Sequence, residues 1–388
     1  MDRCAGKGFP ERNQKMKSAT FRQRHTGLDL LRCLSMFFVI VLHIFNHGGL
    51  AAALETDPLG NAASTLAQTM VYPAVDCFVL LSGYLLCRRS FRLSRVTRIW
   101  CTVVFWSVVI QCVFYIWGLE TVSFGKTVFM FLPILSGRYW FVNAYIVMLL
   151  ASPFLNRLLR ELPQWQMRTL LLVSTAVFSL APVFAMGNDV FGTQNGFGFP
   201  WFCTMYLWGG YINVFSPCQK NSSGRYLELY AVLCLVHTAW ILGVDFAGGL
   251  IPALMPLQNV FMKYTSVPVF GSAICLLMYF RGVEITPASL IARLCSWLSP
   301  LVFSVYLIHD HPLVREHWIQ GCFAPLGELL PGWAMTVAIL AAIGIFAVCI
   351  ALDWFRDRLF CVLKIPVYSD KISRWLTKKI VVRLKGDL

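Results

Sequence analysis

Apolar runs of about 20 residues recur along the whole chain between short charged clusters, and they leave it few folds. A helix needs roughly 20 apolar residues to cross a bilayer. A transmembrane barrel would instead show short segments of alternating hydrophobicity, which the sequence lacks. The pattern predicts an all-α polytopic membrane protein of about ten transmembrane helices, near residues 28–48, 65–87, 97–118, 139–158, 167–187, 198–215, 226–246, 258–280, 294–313 and 333–354. Hydrophobic residues form 57% of the chain and charged ones 13%, which excludes an ordinary soluble domain. The first run has no small-residue cleavage site and is read as a retained span.

Charge placement orients this set. Segments 1–27, 88–98, 156–168, 216–227, 281–293 and 355–388 hold 28 of the 33 Lys and Arg residues. The alternate segments hold only Lys126, Arg138, Lys263 and Arg315. Positive residues stay on the cytoplasmic side, so both termini are expected there. The same distribution explains the net charge of +14 without nucleic acid as a partner. The expected organisation is a basic tail over 1–27, a membrane domain over 28–354 and an amphipathic basic tail over 355–388. In that last segment Trp354, Phe355, Leu359, Phe360 and Leu363 are expected in the membrane interface, with Arg356, Arg358 and Lys364 facing anionic headgroups. The 14 cysteines lie mostly inside apolar runs, without CxxC pairs or metal-ligand spacing, and only Cys322 falls outside. No disulfide and no metal are expected; an HExxH motif is also absent.

The first span carries Arg32 near its cytoplasmic end and His43 in its outer half. Eleven residues amount to three helical turns plus about 20°, so both side chains share a face, ~16 Å apart along the axis. A charge inside a span costs roughly 2.5–3.5 kcal/mol on insertion scales, which makes Arg32 a functional candidate. Asp29, three residues earlier, is placed to pair with it.

Other constellations follow. Arg88, Arg89, Arg92, Arg95 and Arg98 crowd the loop after the second span, and a helix would align Arg92, Arg95 and Arg98 as a strip of forks suited to phosphate. Asp76 falls near mid-membrane, where a carboxylate needs a partner or a proton. Ser82-Gly83 permits close helix approach. Arg138-Tyr-Trp140-Phe-Val-Asn143 opens the fourth span at the outer interface, and Asn143 can orient a hydroxyl. The ninth span ends His309-Asp310-His311, at the depth of His43.

Together these pieces resemble the acyltransferase-3 family, membrane O-acyltransferases that decorate bacterial surface glycans. The resemblance covers most of the chain. It rests on the Arg32-to-His43 spacing, Phe78…Ser82-Gly83-Tyr84, Arg95-Val-Thr-Arg98-Ile-Trp, Tyr139-Trp140-Phe141 and Tyr306-Leu-Ile-His309. Tyr84 departs from the Phe frequent in the family at that position.

The resemblance implies acyl transfer, usually of acetyl, from a cytoplasmic coenzyme A thioester to a hydroxyl outside or within the membrane. Acetyl-CoA or another acyl-CoA is then the donor, expected against Arg32, Ser82, Arg92, Arg95 and Arg98. His43 is expected as general base, oriented by a carboxylate such as Asp310, or as an acylated nucleophile. Asp76, Trp140, Asn143 and His309 are expected to meet the acyl acceptor, a surface glycan or lipid-linked saccharide. The expected location is the inner (cytoplasmic) membrane, among lipids and compatible with a homodimer. A transporter or flippase of an anionic or glycan substrate, or a non-catalytic binding domain, are the alternatives. Neither an inverted repeat nor paired Gly/Pro-broken helices speak for transport.

Overall fold

The computed structural model describes residues 25–185, 187–216, 223–258 and 260–386, and every regular element among them is helical. Most of the tail expected over 1–27 lies outside the described residues. The main helices are α1 (Thr26–Phe45), α2 (Pro58–Val71), α3 (Ala74–Leu86), α4 (Leu93–Ile116), α5 (Trp140–Glu161), α6 (Gln164–Thr175), α7 (Phe199–Phe215), α8 (Ser223–Leu250), α9 (Val267–Gly282), α10 (Leu290–Leu298), α11 (Val302–His309), α12 (Pro331–Val362) and α13 (Ile365–Gly386), with short helical turns between several of them.

Among the described residues seven helical stretches are long and apolar enough to span a membrane, α2 and α3 counting as one, and an eighth if α10 and α11 form one bent span. The other two expected spans fall on α7 and α9, which have 17 and 16 residues. At ~1.5 Å per residue these are shorter than a ~30 Å hydrocarbon core. The start expected for α9 at residue 258 is corrected to Val267, because Pro252 and Pro256 hold the preceding segment in a 3-10 turn and Pro268 opens the helix. The end expected near 354 is also corrected: α12 runs on to Val362, and the chain turns at Lys364, whose φ is 54°.

Close packing of α3 on α7 uses two glycines. A Cβ at Gly83 would meet the Tyr206 carbonyl oxygen at 1.9 Å, and one at Gly209 would meet that of Leu80 at 2.0 Å. The backbones therefore touch, as membrane helices do where small residues face each other. On α12, buried Ala334, Ala338 and Ala342 recur every four residues along the side that meets the bundle, while Leu340, Ile343 and Val348 are exposed as lipid-facing residues would be.

Two features place the site. Pro300 interrupts the α10–α11 segment, which bends by 53° and brings Ser299 against α1. The C-terminal α13 then docks on the first turns of α4. Arg98 donates to both oxygens of Asp370 at 2.9 and 2.8 Å, Thr97 bonds Ser369, and the Ser369 hydroxyl donates to the Ser94 carbonyl at 3.3 Å.

Candidate active site

The start of α1, the end of α3 and the start of α4 surround a cavity of about 730 Å³. His25, Arg32, Arg89, Arg95, Arg98 and Arg356 line it, against the carboxylates of Asp29 and Asp357. Arg32 donates to the Ser299 hydroxyl at 3.0 Å, and Ser299 in turn donates to Asp29 at 2.8 Å; Arg32 and Asp29 stand 3.9 Å apart. The expected Arg32–Asp29 pairing is therefore closed through a third residue, supplied by the bend at Pro300. Ser82 lines the same cavity, and its hydroxyl is paired with the Phe78 carbonyl and the Tyr145 hydroxyl, each at 2.9 Å.

The expected arginine strip is corrected in one member. Arg92 precedes the helix in extended backbone, is exposed and lines neither cavity described here, so only Arg95 and Arg98 share a helical face. Arg89, from the loop, joins the cavity instead. Arg356 is a second correction. Rather than facing headgroups it is buried, with Nε and Nη2 bonded to the two Asp353 oxygens at 2.9 and 2.6 Å. Trp106 donates to the same carboxylate at 3.0 Å, so the buried pair is satisfied on both sides.

A smaller cavity, of about 30 Å³, surrounds His43. Its walls include Met36, Val39, Trp140, Tyr264 and Tyr306. Phe78, Phe141 and Phe303 line both cavities, forming an aromatic neck between them. Arginines thus stand on one side of these three rings and an imidazole on the other.

The hydrogen bonds on His43 fix where its lone pair lies. His309 Nδ1 is 2.6 Å from the Val305 carbonyl oxygen, which only accepts, so this nitrogen carries the proton. In a neutral ring Nε2 is then an acceptor, and it lies 3.0 Å from His43 Nδ1. His43 Nδ1–H must donate across that contact, which leaves His43 Nε2 unprotonated. The expectation that Asp310 orients His43 is corrected accordingly: its oxygen is 3.6 Å from His43 Nδ1, farther than His309, and 3.3 Å from Arg315. His309, expected to meet the acyl acceptor, sits against His43.

The remaining expected residues separate. Trp140 lines the His43 cavity. Asp76 lines neither cavity; it is buried between α3 and α7, where Trp201 donates to one oxygen at 3.0 Å and the other has no partner among the described residues. Asn143 also lines neither cavity. Ligand atoms of His43, His47 and Asp310 fall within 4.8 Å of one another, the one such convergence among the described residues. Just past α1, burial lowers the His47 imidazole below its ordinary range, although Asp310 pulls the other way. Arg315 and His309 already engage two members of that trio.

Tyr145 and Ser299 escaped the sequence reading, while Arg89 was read only as a loop charge and Arg356 only as facing headgroups. The signals available were the Pro300 break beside Ser299 and the three-residue spacing of Asp353 and Arg356.

A search of curated proteins and one of solved structures return no match for this chain. A family model described as "Acyltransferase domain" matches residues 25–354, a stretch that takes in both cavities except the residues from α12 beyond Trp354. With that match over most of its length, the chain belongs to the acyltransferase-3 family and is a multi-pass membrane acyltransferase.

Proposed function

We propose that the protein transfers an acyl group, acetyl in the simplest case, from acyl-CoA on the cytoplasmic face of the inner membrane to a hydroxyl of a surface glycan or lipid-linked saccharide. The observation that carries this reading is the adjacency of two cavities: an arginine-lined one and the one at His43 share Phe78, Phe141 and Phe303 as walls. The phosphates of coenzyme A suit Arg89, Arg95 and Arg98, since guanidinium forks bind phosphate bidentately. The thin pantetheine arm then passes the neck and presents its thioester at His43, ~16 Å from Arg32 along the helix.

At that point the acceptor hydroxyl attacks the thioester carbonyl carbon. His43 Nε2 takes the hydroxyl proton as the C–O bond forms, a contribution typically about 10²–10⁴-fold. The tetrahedral centre collapses, the C–S bond breaks, and the same proton neutralises the departing thiolate. His309 holds the imidazole in the tautomer this requires. Direct transfer is favoured over an acyl-histidine because a single relay-oriented base suffices for it.

The test is mass spectrometry of envelope glycans from cells with the gene, without it, and carrying His43→Ala. Ester-linked acyl groups present only with the intact gene are expected. Identical glycan acylation in all three would remove this reading and leave transport or binding.

A further inference from the structure

Resting on that reading, we infer that His43, His47 and Asp310 form an inhibitory site for a zinc-like divalent ion, which disables the base when filled. His43 and His47 are four residues apart across the end of α1, the spacing at which two imidazoles share one face and ligate one ion. Their ring centroids stand 4.9 Å apart. The third ligand comes from the residue that ends α11: Asp310 Oδ1 lies 3.6 Å from His43 Nδ1. One ligand atom from each of the three falls within 4.8 Å of the other two. In a tetrahedral zinc site with bonds of ~2.0–2.1 Å, neighbouring ligand atoms are about 3.3–3.4 Å apart. The His43–Asp310 edge is thus already near its ligating length, and the other edges need to shorten by at most about 1.5 Å. His47 is exposed, so rotation of its ring supplies that movement.

The donor set selects the ion. Two imidazoles and a carboxylate suit Zn²⁺, whereas Ca²⁺ and Mg²⁺ need oxygen ligands. Arg315 donates to the same Asp310 oxygen at 3.3 Å, and its side chain is 31% exposed. It turns outward, or stays as the outer partner that a ligating carboxylate usually has. Entry is from the His47 side, which the charge distribution assigns to the exterior. Occupancy and catalysis exclude each other at one ring. An ion on His43 Nδ1, beside Asp310, displaces the proton donated to His309, and the displaced proton settles on Nε2 of the neutral ring. An ion on Nε2 takes the lone pair itself. Either way His43 has no nitrogen left to accept the hydroxyl proton. The arginine-lined cavity lies across Phe78, Phe141 and Phe303, so acetyl-CoA affinity is untouched.

The experiment adds Zn²⁺ alone to purified full-length protein stripped with EDTA. Transfer is followed from acetyl-CoA to an envelope extract of gene-deleted cells. The stripped protein is expected to be fully active, Zn²⁺ to lower its turnover number by about 10-fold or more with acetyl-CoA affinity unchanged, and EDTA to restore it. His47→Ala should turn over like wild type and need about 10–100-fold more Zn²⁺ for the same inhibition, the range in which even an outer partner of a metal ligand changes affinity. If that variant fails to assemble, His47→Gln replaces it. Visible absorption of bound Co²⁺ reads the site without turnover: a band saturating at about one ion per chain is expected, weakened in His47→Ala and in Asp310→Asn. Equal Zn²⁺ sensitivity of wild type and His47→Ala would overturn the inference, as would Co²⁺ binding unaltered by either substitution. Activity that requires Zn²⁺ would overturn it too, by making the ion a cofactor. His43→Ala in the same assay separates the failures. Activity retained there undermines acyl transfer at His43 itself, whereas a dead His43→Ala beside a zinc-insensitive wild type removes only the metal site.

Discussion

His43 Nδ1 and His309 Nε2 lie 3.0 Å apart, and the second ring is itself anchored 2.6 Å from the Val305 carbonyl. One helix carries His43, the base of the proposed reaction, and a residue 266 positions away in sequence, on another helix, sets its tautomer. A carboxylate in that role would favour the charged imidazolium. A neutral imidazole instead holds the ring with less bias toward charge, which suits a base that must return its proton within the same turnover.

His309→Ala leaves His43 Nδ1 without its acceptor and frees the ring to change tautomer. Turnover is expected to fall roughly 10²-fold with little change in the acetyl-CoA KM, because the arginine cavity is untouched. His309→Gln, which can present a carbonyl oxygen, should recover part of the loss. Steady-state kinetics on the three proteins decides this; equal turnover numbers would remove the tautomer argument.

On the proposed function, donor affinity belongs to the arginine cavity. Replacing Arg95 and Arg98 together by Ala is expected to raise the acetyl-CoA KM by about 10²-fold, since a charge-assisted contact contributes ~1.5–3 kcal/mol. Asp370→Asn should lower it, for Arg98 Nη2 now donates to both Asp370 oxygens. The Asp370 carboxyl is held below its ordinary range, first by Ser94 and then by Arg98. A depressed carboxylate pKa means the pair is fully formed at neutral pH and dissolves only as pH falls through the lowered value. Acetyl-CoA binding measured between about pH 6 and 8 is thus expected to carry no titration from this pair.

The Arg356–Asp353 pair makes a stability prediction. Asp353→Ala takes both hydrogen bonds from a buried guanidinium, leaving it the Asp357 carboxylate at 3.7 Å, and strands the Trp106 N–H; the expected loss is about 3 kcal/mol, seen as a lowered thermal midpoint in detergent. Replacing the exposed Arg157–Glu161 pair should change the midpoint little.

Much of this was legible in the sequence because membrane helices announce themselves. Long apolar runs located the helices, and the 3.6-residue period put Arg32 and His43 on one face of α1. Ser82-Gly83 announced the close α3–α7 contact. What stayed hidden depends on partners distant in sequence. Asp310 rather than His309 looked like the orienting group, because carboxylates are the commoner partners of imidazoles and adjacent residues cannot be ranked without the helix end that places them. Asp76 looked functional because an intramembrane carboxylate is costly; Trp201 on α7 donates to one of its oxygens and leaves the other without a partner among the described residues. Arg356 looked like a headgroup ligand until α12 proved to extend beyond 354 and turn it inward onto Asp353. Arg92 fell off the strip because the helix begins one residue later.

The most direct test of the account is His43→Ala, assayed for acetyl transfer and for acetyl-CoA binding on the same purified, monodisperse preparation. The account expects transfer to be lost while acetyl-CoA binds with wild-type affinity, because the arginines that hold the nucleotide lie beyond the aromatic neck from His43. Near-wild-type turnover by His43→Ala would contradict it.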